Sequence, residues 1–316
     1  MRKILITGGA GFIGSHAVKF ALQKNFAVVN FDKLNYAANL ENLKSIEKNP
    51  NYKFVRGDIC DADFLREIFE KEKFDFVLNF AAETHVDFSI ENPAVFAESN
   101  FIGAQNIFTA ARDFKIQKIV QISTDEVYGA LKIADEKFSE NSPLAPNSPY
   151  AASKAAADLL ARSFWKTFDL PICVSRCSNN FGPHQDFSKL IPKIISRGIR
   201  GEKIPIYGRG ENIREWIFVE NHVRGIFEIL ERGKVGEIYN LGSRDEFSNL
   251  EIARRILKIL NRPENLIEFV ADRPGHDFRY ALNCDKIERE LDFKIAQNFD
   301  ENLQKTVEFF TEKIWI

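Results

Sequence analysis

Five residues of this 316-residue chain have types and spacings that could oxidise an alcohol and then do more. Tyr150 and Lys154 are four positions apart, so on a helix they share one face. A lysine charge beside a phenol favours the phenolate, which lowers the tyrosine pKa and lets it take a hydroxyl proton while the carbon gives up a hydride. Thr124 can hold the reacting oxygen. Asp125 and Glu126 add an acid and a base that alcohol oxidation alone does not need.

The Asp125-Glu126 pair has two interpretations. As strand-end carboxylates, the two residues would cap a turn or pair with surface lysines. As catalytic groups, they suit a hexose whose C4 is already a ketone, because the C5 proton is then acidic. One carboxylate can remove that proton while a neutral carboxylic acid protonates the departing C6 hydroxyl, and two carboxyls in one apolar site have pKa values pushed apart in this way. Hydride returned to C6 would leave the cofactor unchanged and bound.

A glycine loop near the N-terminus indicates where such a cofactor binds. Gly8, Gly11 and Gly14 follow an apolar strand and open a helical pattern, a context in which backbone N–H groups cradle a pyrophosphate. A structural strand-to-helix turn is the alternative interpretation. Asp32 ends the second strand, where it would accept hydrogen bonds from the adenine-side ribose and repel a 2′-phosphate. The pattern therefore favours NAD over NADP.

The elements that must position these residues alternate between strand and helix. Short, apolar, β-branched runs at 4–7, 27–31, 76–80 and 118–122 are typical of buried parallel strands, with helical patterns between them. This alternation predicts an α/β fold with a doubly wound parallel sheet of Rossmann type. Thr124 and its neighbours leave such a strand at its carboxyl end.

A change of pattern predicts two lobes. Residues 1–178 are expected to form the NAD-binding Rossmann domain and residues 179–316 a smaller α/β substrate lobe, with a part at about 215–243 returning to the main sheet. Ser248 and Glu251 match a capping box and predict a helix start.

Composition excludes several classes of protein. The net charge of −2 argues against a nucleic-acid or anionic-membrane partner. The four cysteines have no Cys-x-x-Cys spacing and no histidine cluster beside them, so no metal site is expected. No apolar run reaches the roughly 18 residues of a membrane-spanning helix, and the start of the chain lacks a signal-peptide core. We therefore expect a cytoplasmic protein.

The motifs resemble the dTDP-glucose 4,6-dehydratase family of extended short-chain dehydrogenases/reductases. The resemblance covers nearly the whole chain; its most specific parts are 32–37, 124–129 and 272–277. It implies NAD-dependent conversion of dTDP-glucose to its 4-keto-6-deoxy form, with Tyr150 as the C4 oxidation base, Asp125 as the acid at C6 and Glu126 as the base at C5. It also implies a homodimer that pairs through helices at 100–114 and 151–168.

The resemblance assigns binding residues position by position. The residues implied at the cofactor are Gly8, Gly11, Phe12, Ile13, Gly14, Asp32, Lys33, Leu34, Asn35, Asp58, Ile59, Ala81, Ala82, Thr84, Ser99, Tyr150, Lys154 and Asn180. The residues implied at the nucleotide sugar are Thr84, His85, Thr124, Asn179, Lys189, Leu190, Pro205, Tyr207, Arg214, Asn249, Arg273 and His276. Arg209 and Arg279 are interpreted as solvated.

Some features leave alternatives open. Glu215 stands where the family pattern has Asp, and beside Arg214 it could alter how a diphosphate is held. UDP or CDP sugars are alternative substrates. A nucleotide-sugar C4 epimerase or a uronate decarboxylase on the same scaffold is the second hypothesis, although an epimerase has no task for the Asp125-Glu126 pair. A redox-sensing NAD-binding module is the non-enzymatic one.

Overall fold

The elements of the fold are defined in a computed structural model that describes residues 1–272, 275–295 and 298–314. The strands are β1 (Lys3–Thr7), β2 (Ala27–Asp32), β3 (Tyr52–Arg56), β4 (Phe76–Asn79), β5 (Lys118–Thr124), β6 (Ile172–Cys177), β7 (Asn179–Phe181), β8 (Ile204–Tyr207), β9 (Ile213–Phe218), β10 (Ile238–Leu241), β11 (Glu246–Ser248) and β12 (Ile267–Val270). The α-helices are α1 (Phe12–Gln23), α2 (Ala62–Glu72), α3 (Val86–Glu91), α4 (Pro93–Ala97), α5 (Gly103–Asp113), α6 (Pro149–Phe168), α7 (Leu190–Arg200), α8 (Val219–Arg232), α9 (Asn249–Ile259), α10 (Asp285–Leu291) and α11 (Phe299–Ile314).

The main sheet is parallel throughout its described strands. Its order is β3, β2, β1, β4, β5, β6, β10, so the direction of winding reverses between β1 and β4. Every residue of β4, β5 and β6 is buried, because helices cover both faces of the sheet. The predicted doubly wound sheet is confirmed, and its carboxyl edge at the reversal is where such folds bind ligands.

Two apolar layers flank this sheet. One contains Ile4, Val120 and the inner face of α8, and the other contains Leu5, Ile119 and the inner faces of α2 and α5. Neighbouring residues of a strand point to opposite faces, so Ile4 and Leu5 supply different layers. This double-sided burial fixes the register of β1 and β5 and hence the ends of these strands.

A smaller set of elements follows β6. Strands β7, β9 and β11 form a three-stranded sheet, and β8 pairs with β12. Helices α7, α9 and α11 enclose a third apolar layer against these strands. Within the span 215–243, β9 belongs to this smaller sheet, α8 packs on the main sheet, and β10 is a strand of the main sheet. The division of the chain at residue 179 stays a prediction.

The ends of α9 and α6 follow their local sequence. Ser248 and Glu251 form the predicted capping box at the start of α9. Ser148 caps α6, with its hydroxyl accepting a hydrogen bond from the Ala151 N–H at 3.1 Å, and Pro149 occupies the first turn, where its missing N–H costs nothing.

A segment near the C-terminus joins the smaller sheet to the loop after β5. The Leu131 N–H donates to the Arg279 carbonyl at 2.9 Å, and the Ile213 N–H of β9 donates to the Phe278 carbonyl at 2.8 Å. The interpretation of Arg279 as solvated is wrong: it is 8% exposed, and its Nε donates to Glu246 Oε2 at 2.7 Å. Arg209, in contrast, is exposed.

Candidate active site

A cleft of about 620 Å³ runs along the carboxyl edge of the main sheet and is closed on its other side by residues of the smaller elements. It is lined by all the residues predicted at the cofactor, the reacting centre and the nucleotide sugar, with two exceptions. Leu34 does not line it, and its backbone N–H donates to Asp32 Oδ1 at 2.8 Å instead. Arg273 lies outside the described residues.

Two positions of the glycine loop, at one end of the cleft, have no room for a side chain. Gly8 has φ +67°, and a Cβ there would lie 2.8 Å from the Ala81 nitrogen. A Cβ on Gly14 would lie 2.1 Å from the Gly8 carbonyl oxygen. Side chains at these two positions would therefore push the loop away from β4 and open the turn into α1. The loop is compatible with close approach of a pyrophosphate to the start of α1.

Asp32 fixes the turn after β2. Its Oδ2 accepts a hydrogen bond from the Ala10 N–H at 2.9 Å, while Oδ1 accepts that of Leu34. Burial raises the Asp32 pKa, and these two backbone hydrogen bonds oppose that rise. The carboxylate is thereby held at the cleft wall next to the glycine loop, where the sequence predicted the adenine-side ribose.

The turn after β5 carries the two carboxyls. A single 3₁₀ turn, Asp125–Tyr128, begins directly after Thr124, whose Oγ1 accepts the Glu126 N–H at 3.3 Å. Tyr128 anchors the turn by donating to Asn240 Oδ1 at 2.8 Å. Gly129 closes it at φ +87°, where a Cβ would lie 2.4 Å from the Ala145 carbonyl oxygen.

Asp125 is buried, and its surroundings favour its neutral form. It is 2% exposed, and its Oδ1 accepts a hydrogen bond from Thr124 Oγ1 at 3.2 Å. Burial raises the pKa of Asp125 well above its usual value, and the negative charges of Glu126 and Glu215 raise it further. A carboxyl with a raised pKa keeps its proton to higher pH, so Asp125 can serve as an acid under neutral conditions.

Tyr150 and Lys154 lie in the first turns of α6, with both side chains buried against β5. Lys154 Nζ donates to the Ile122 carbonyl at 2.6 Å. The prediction that Lys154 lowers the Tyr150 pKa is wrong for this structure. Burial raises that pKa well above its usual value, and the negative charge of Glu126 adds to the rise. The cause is that the phenol is buried near the Glu126 carboxylate, while the Lys154 ammonium is engaged by a carbonyl.

The far end of the cleft is basic and aromatic. Arg214 is buried, its guanidinium lies 4.5 Å from the ring centroid of Tyr280, and it donates to the Asp277 carbonyl at 3.0 Å. Tyr207 contacts His276 edge-on, with 6.1 Å between ring centroids. A guanidinium and aromatic rings together can bind a phosphorylated pyrimidine nucleotide.

Comparison with known proteins identifies the family. The family model described as GDP-mannose 4,6 dehydratase matches residues 5–306. A dTDP-glucose 4,6-dehydratase of Neisseria meningitidis serogroup B is 44% identical, with 100% of this chain and 95% of the relative aligned. The chain belongs to the dTDP-glucose 4,6-dehydratase family.

Other family members and more distant proteins share the fold. The low-salt glycan biosynthesis protein Agl12 of Haloferax volcanii is 46% identical, over 97% of this chain and 98% of that protein. The crystal structure of a dTDP-glucose 4,6-dehydratase from Bacillus anthracis, in complex with NAD, is 41% identical with a TM-score of 0.92, covering 99% of this chain and 97% of that one. A UDP-glucose 4-epimerase from Thermotoga maritima, with UDP-glucose, is 27% identical with a TM-score of 0.93, over 99% of each chain.

Glu215, a departure from the usual pattern of this family, serves a structural purpose. Its two carboxylate oxygens accept the N–H groups of Arg244 and Leu282, each at 2.7 Å. Because side chains alternate along β9, Glu215 points away from the face that carries Arg214. It therefore connects three backbone segments behind the cleft.

Sequence reasoning missed several cleft residues. Tyr280 lines the cleft and is 3% exposed, and Gln185, Lys193 and Cys177 also line it. Tyr280 follows the 272–277 motif, which was the available signal, but the irregular pattern around it gave no direction for its side chain. Among the described residues, no group of three His, Cys, Asp or Glu side chains is placed to hold a metal ion, and no helix is long and apolar enough to cross a membrane.

Proposed function

We propose that the chain catalyses the NAD-dependent dehydration of dTDP-glucose to dTDP-4-keto-6-deoxyglucose, as a hydro-lyase. The observation that carries this proposal is the buried Asp125, whose pKa is raised by its surroundings, beside Glu126 and Tyr150 in one cleft. The family relationship supports the same reaction, since relatives over the full chain length bear the name of this enzyme.

The cleft fits the cofactor. The glycine loop leaves no room for side chains, Asp32 lies at the ribose end, and Tyr150 with Lys154 lies at the other end of the dinucleotide path. NAD, when bound, supplies a hydride acceptor for C4 and a hydride donor for C6. A small lobe at 179–316 that holds the nucleotide sugar against a Rossmann domain at 1–178 is part of this proposal.

Four side chains at the reacting centre have different roles in the proposed reaction. Thr124 holds the C4 oxygen, and Tyr150 takes the C4 hydroxyl proton. The positive charge that oxidised NAD would supply would lower the raised Tyr150 pKa and favour this transfer. Glu126 removes the C5 proton. Asp125, neutral through burial, gives its proton to the departing C6 hydroxyl.

Binding of the nucleotide diphosphate is assigned to the far end of the cleft. Arg214 and Lys189 supply positive charge, Asn179 and Asn249 supply amides, and Tyr207 offers a ring for the base. Asn179 Oδ1 and Asn249 Oδ1 are buried and have no hydrogen-bond partner among the described residues, which suits a ligand contact. A thymine nucleotide is proposed in preference to uridine or cytidine on the strength of the relatives.

A C4 epimerase remains the second candidate, because a solved epimerase shares the whole fold. Incubation of the purified protein with dTDP-glucose, followed by chromatographic separation and mass spectrometry of the nucleotide sugars, separates the two. The proposal predicts a product lighter by one water. An isobaric product would instead identify an epimerase, and an unchanged substrate would contradict both activities.

The proposed assembly is a homodimer in the cytoplasm. Helices α5 and α6 adjoin, and apolar side chains are exposed on or beside them: Ile102 just before α5, and Leu159 and Phe168 on α6, with exposed fractions of 42%, 60% and 46%. Exposed apolar side chains that gather in a patch are typical of protein interfaces. All four cysteines are free thiols, which is compatible with a reducing compartment.

A further inference from the structure

A carboxylate outside the predicted binding set controls the charge at the ribose end of the cleft. Glu83 follows Ala81 and Ala82 after β4 and has a side chain only 4% exposed. Its Oε1 lies 2.8 Å from Lys33 Nζ and accepts the Asn35 Nδ2–H at 3.1 Å. Lys33 and Asn35 both line the cleft. Glu83 thus reaches from behind the cleft wall to two residues of the loop after Asp32.

The position of Glu83 is fixed by its backbone. Its N–H donates to Asn100 Oδ1 at 2.8 Å, and its carbonyl accepts from Asn100 Nδ2 at 3.0 Å. Asn100 also donates to Ser153 Oγ on α6 at 2.9 Å. These bonds fix the backbone of Glu83, and its carboxylate is held from there by Lys33 and Asn35.

Lys33, the residue that follows Asp32, carries a charge that could favour a 2′-phosphate. A lysine at this position supplies an ammonium that could neutralise the 2′-phosphate of NADP, as arginine does in NADP-binding relatives of this fold. Here the ammonium is already paired with Glu83 and lies 3.9 Å from Asp58 Oδ2. Burial alone would lower the Lys33 pKa, but the hydrogen bond and charge of Glu83 raise it, so the ammonium stays charged within this pair.

We infer that Glu83 is a specificity-determining residue that excludes NADP by holding the Lys33 ammonium in an ion pair. The inference rests on the proposed dinucleotide site. Asp32 repels a 2′-phosphate directly. Glu83 acts by a separate route, because it engages Lys33, a cation beside Asp32 that could offset this repulsion.

The test is the ratio of NADP to NAD bound when the purified protein is equilibrated with equal concentrations of both and examined by native mass spectrometry. Glu83→Gln keeps the size and an accepting oxygen but removes the charge that neutralises Lys33. The bound NADP:NAD ratio should rise about tenfold, equivalent to about 1.4 kcal/mol. The double variant Lys33→Met/Glu83→Gln removes both charges of the ion pair together. Its bound NADP:NAD ratio should return to within about twofold of the parental ratio.

Two outcomes would overturn the inference. The first is a parental ratio in Glu83→Gln. The second is a ratio in the double variant far below that of the parent, since Lys33 would then already serve the 2′-phosphate. The double variant leaves no unpaired buried charge, so a ratio far below the parent's in that variant contradicts the inference even if Glu83→Gln alone does not fold.

A matched control removes an equivalent charge elsewhere. Glu72 is also largely buried and pairs with Lys3 at 3.0 Å, outside the cleft. Glu72→Gln should leave the ratio unchanged, and a rise equal to that of Glu83→Gln would show a general charge effect and contradict the role of Glu83. If the parent binds neither dinucleotide, the proposed cofactor site fails. The measurement does not require turnover, so loss of dehydratase activity would not affect its reading.

Discussion

Asp125 and Glu126 are adjacent in the chain, yet the structure gives them different surroundings. Asp125 is fully buried at the base of the cleft and contacts Thr124, whereas Glu126 is half-buried at the cleft wall. The Asp125 pKa is raised by burial, and the separation of the two carboxyl pKa values that the sequence predicted stays a prediction. Which carboxyl acts at C5 and which at C6 stays a prediction.

Replacing Glu126 should separate oxidation from elimination. In Glu126→Gln the C5 proton has no acceptor, so product formation should fall at least about a hundredfold, the usual loss on removing a general base. Oxidation at C4 should continue, because Thr124, Tyr150 and Lys154 are intact. The measurements are the absorbance of reduced dinucleotide after substrate is added and the amount of product by mass spectrometry.

An exposed carboxylate on the loop after the catalytic turn provides the control. Glu136→Gln removes the same charge at a surface position and should turn over at the parental rate. Parental turnover in Glu126→Gln, or failure of that variant to oxidise C4, would contradict the assignment of Glu126 as the C5 base.

At the scale of elements, the sequence predicted those strands and turns whose position depends on the local residue pattern. Continuous apolar runs identified β1, β2, β4 and β5 because these strands are buried on both faces. The glycine loop and the strand end at Thr124 then followed from the rule that such sheets bind ligands at their carboxyl edge. This is why almost all predicted site residues line the cleft.

Contacts between distant segments could not be predicted. Arg279 pairs with Glu246, 33 positions away, and Glu83 pairs with Lys33, which lies 50 positions earlier. An arginine or a glutamate in an irregular stretch of sequence does not reveal whether its side chain is buried or which residue it pairs with. The prediction of a lowered Tyr150 pKa failed for the same reason. That pKa depends on where the Lys154 ammonium and the carboxyls of Asp125 and Glu126 lie in three dimensions.

At the scale of the whole molecule, the exposed face of α5 and α6 should be the dimer contact. Leu159→Glu places a charge on this face and should convert a particle of twice the 36.2 kDa chain mass into a monomer, because burying that charge without a partner is costly. Sedimentation equilibrium measures the mass, and circular dichroism verifies the fold.

Ile133→Glu changes an equally apolar, 72% exposed residue on the loop after the catalytic turn and should leave the dimer intact. A monomeric parent, or an unchanged dimer in Leu159→Glu, would contradict this interface.

The complete cycle depends on one bound cofactor that returns to C6 the hydride removed from C4. Purified protein, given no added NAD, should be incubated in ordinary water with dTDP-glucose that carries deuterium at C4. Mass spectrometry should show a product that has lost one water and has kept the deuterium at C6. Loss of the deuterium to solvent, or a labelled product with the mass of the substrate, would contradict the proposed reaction.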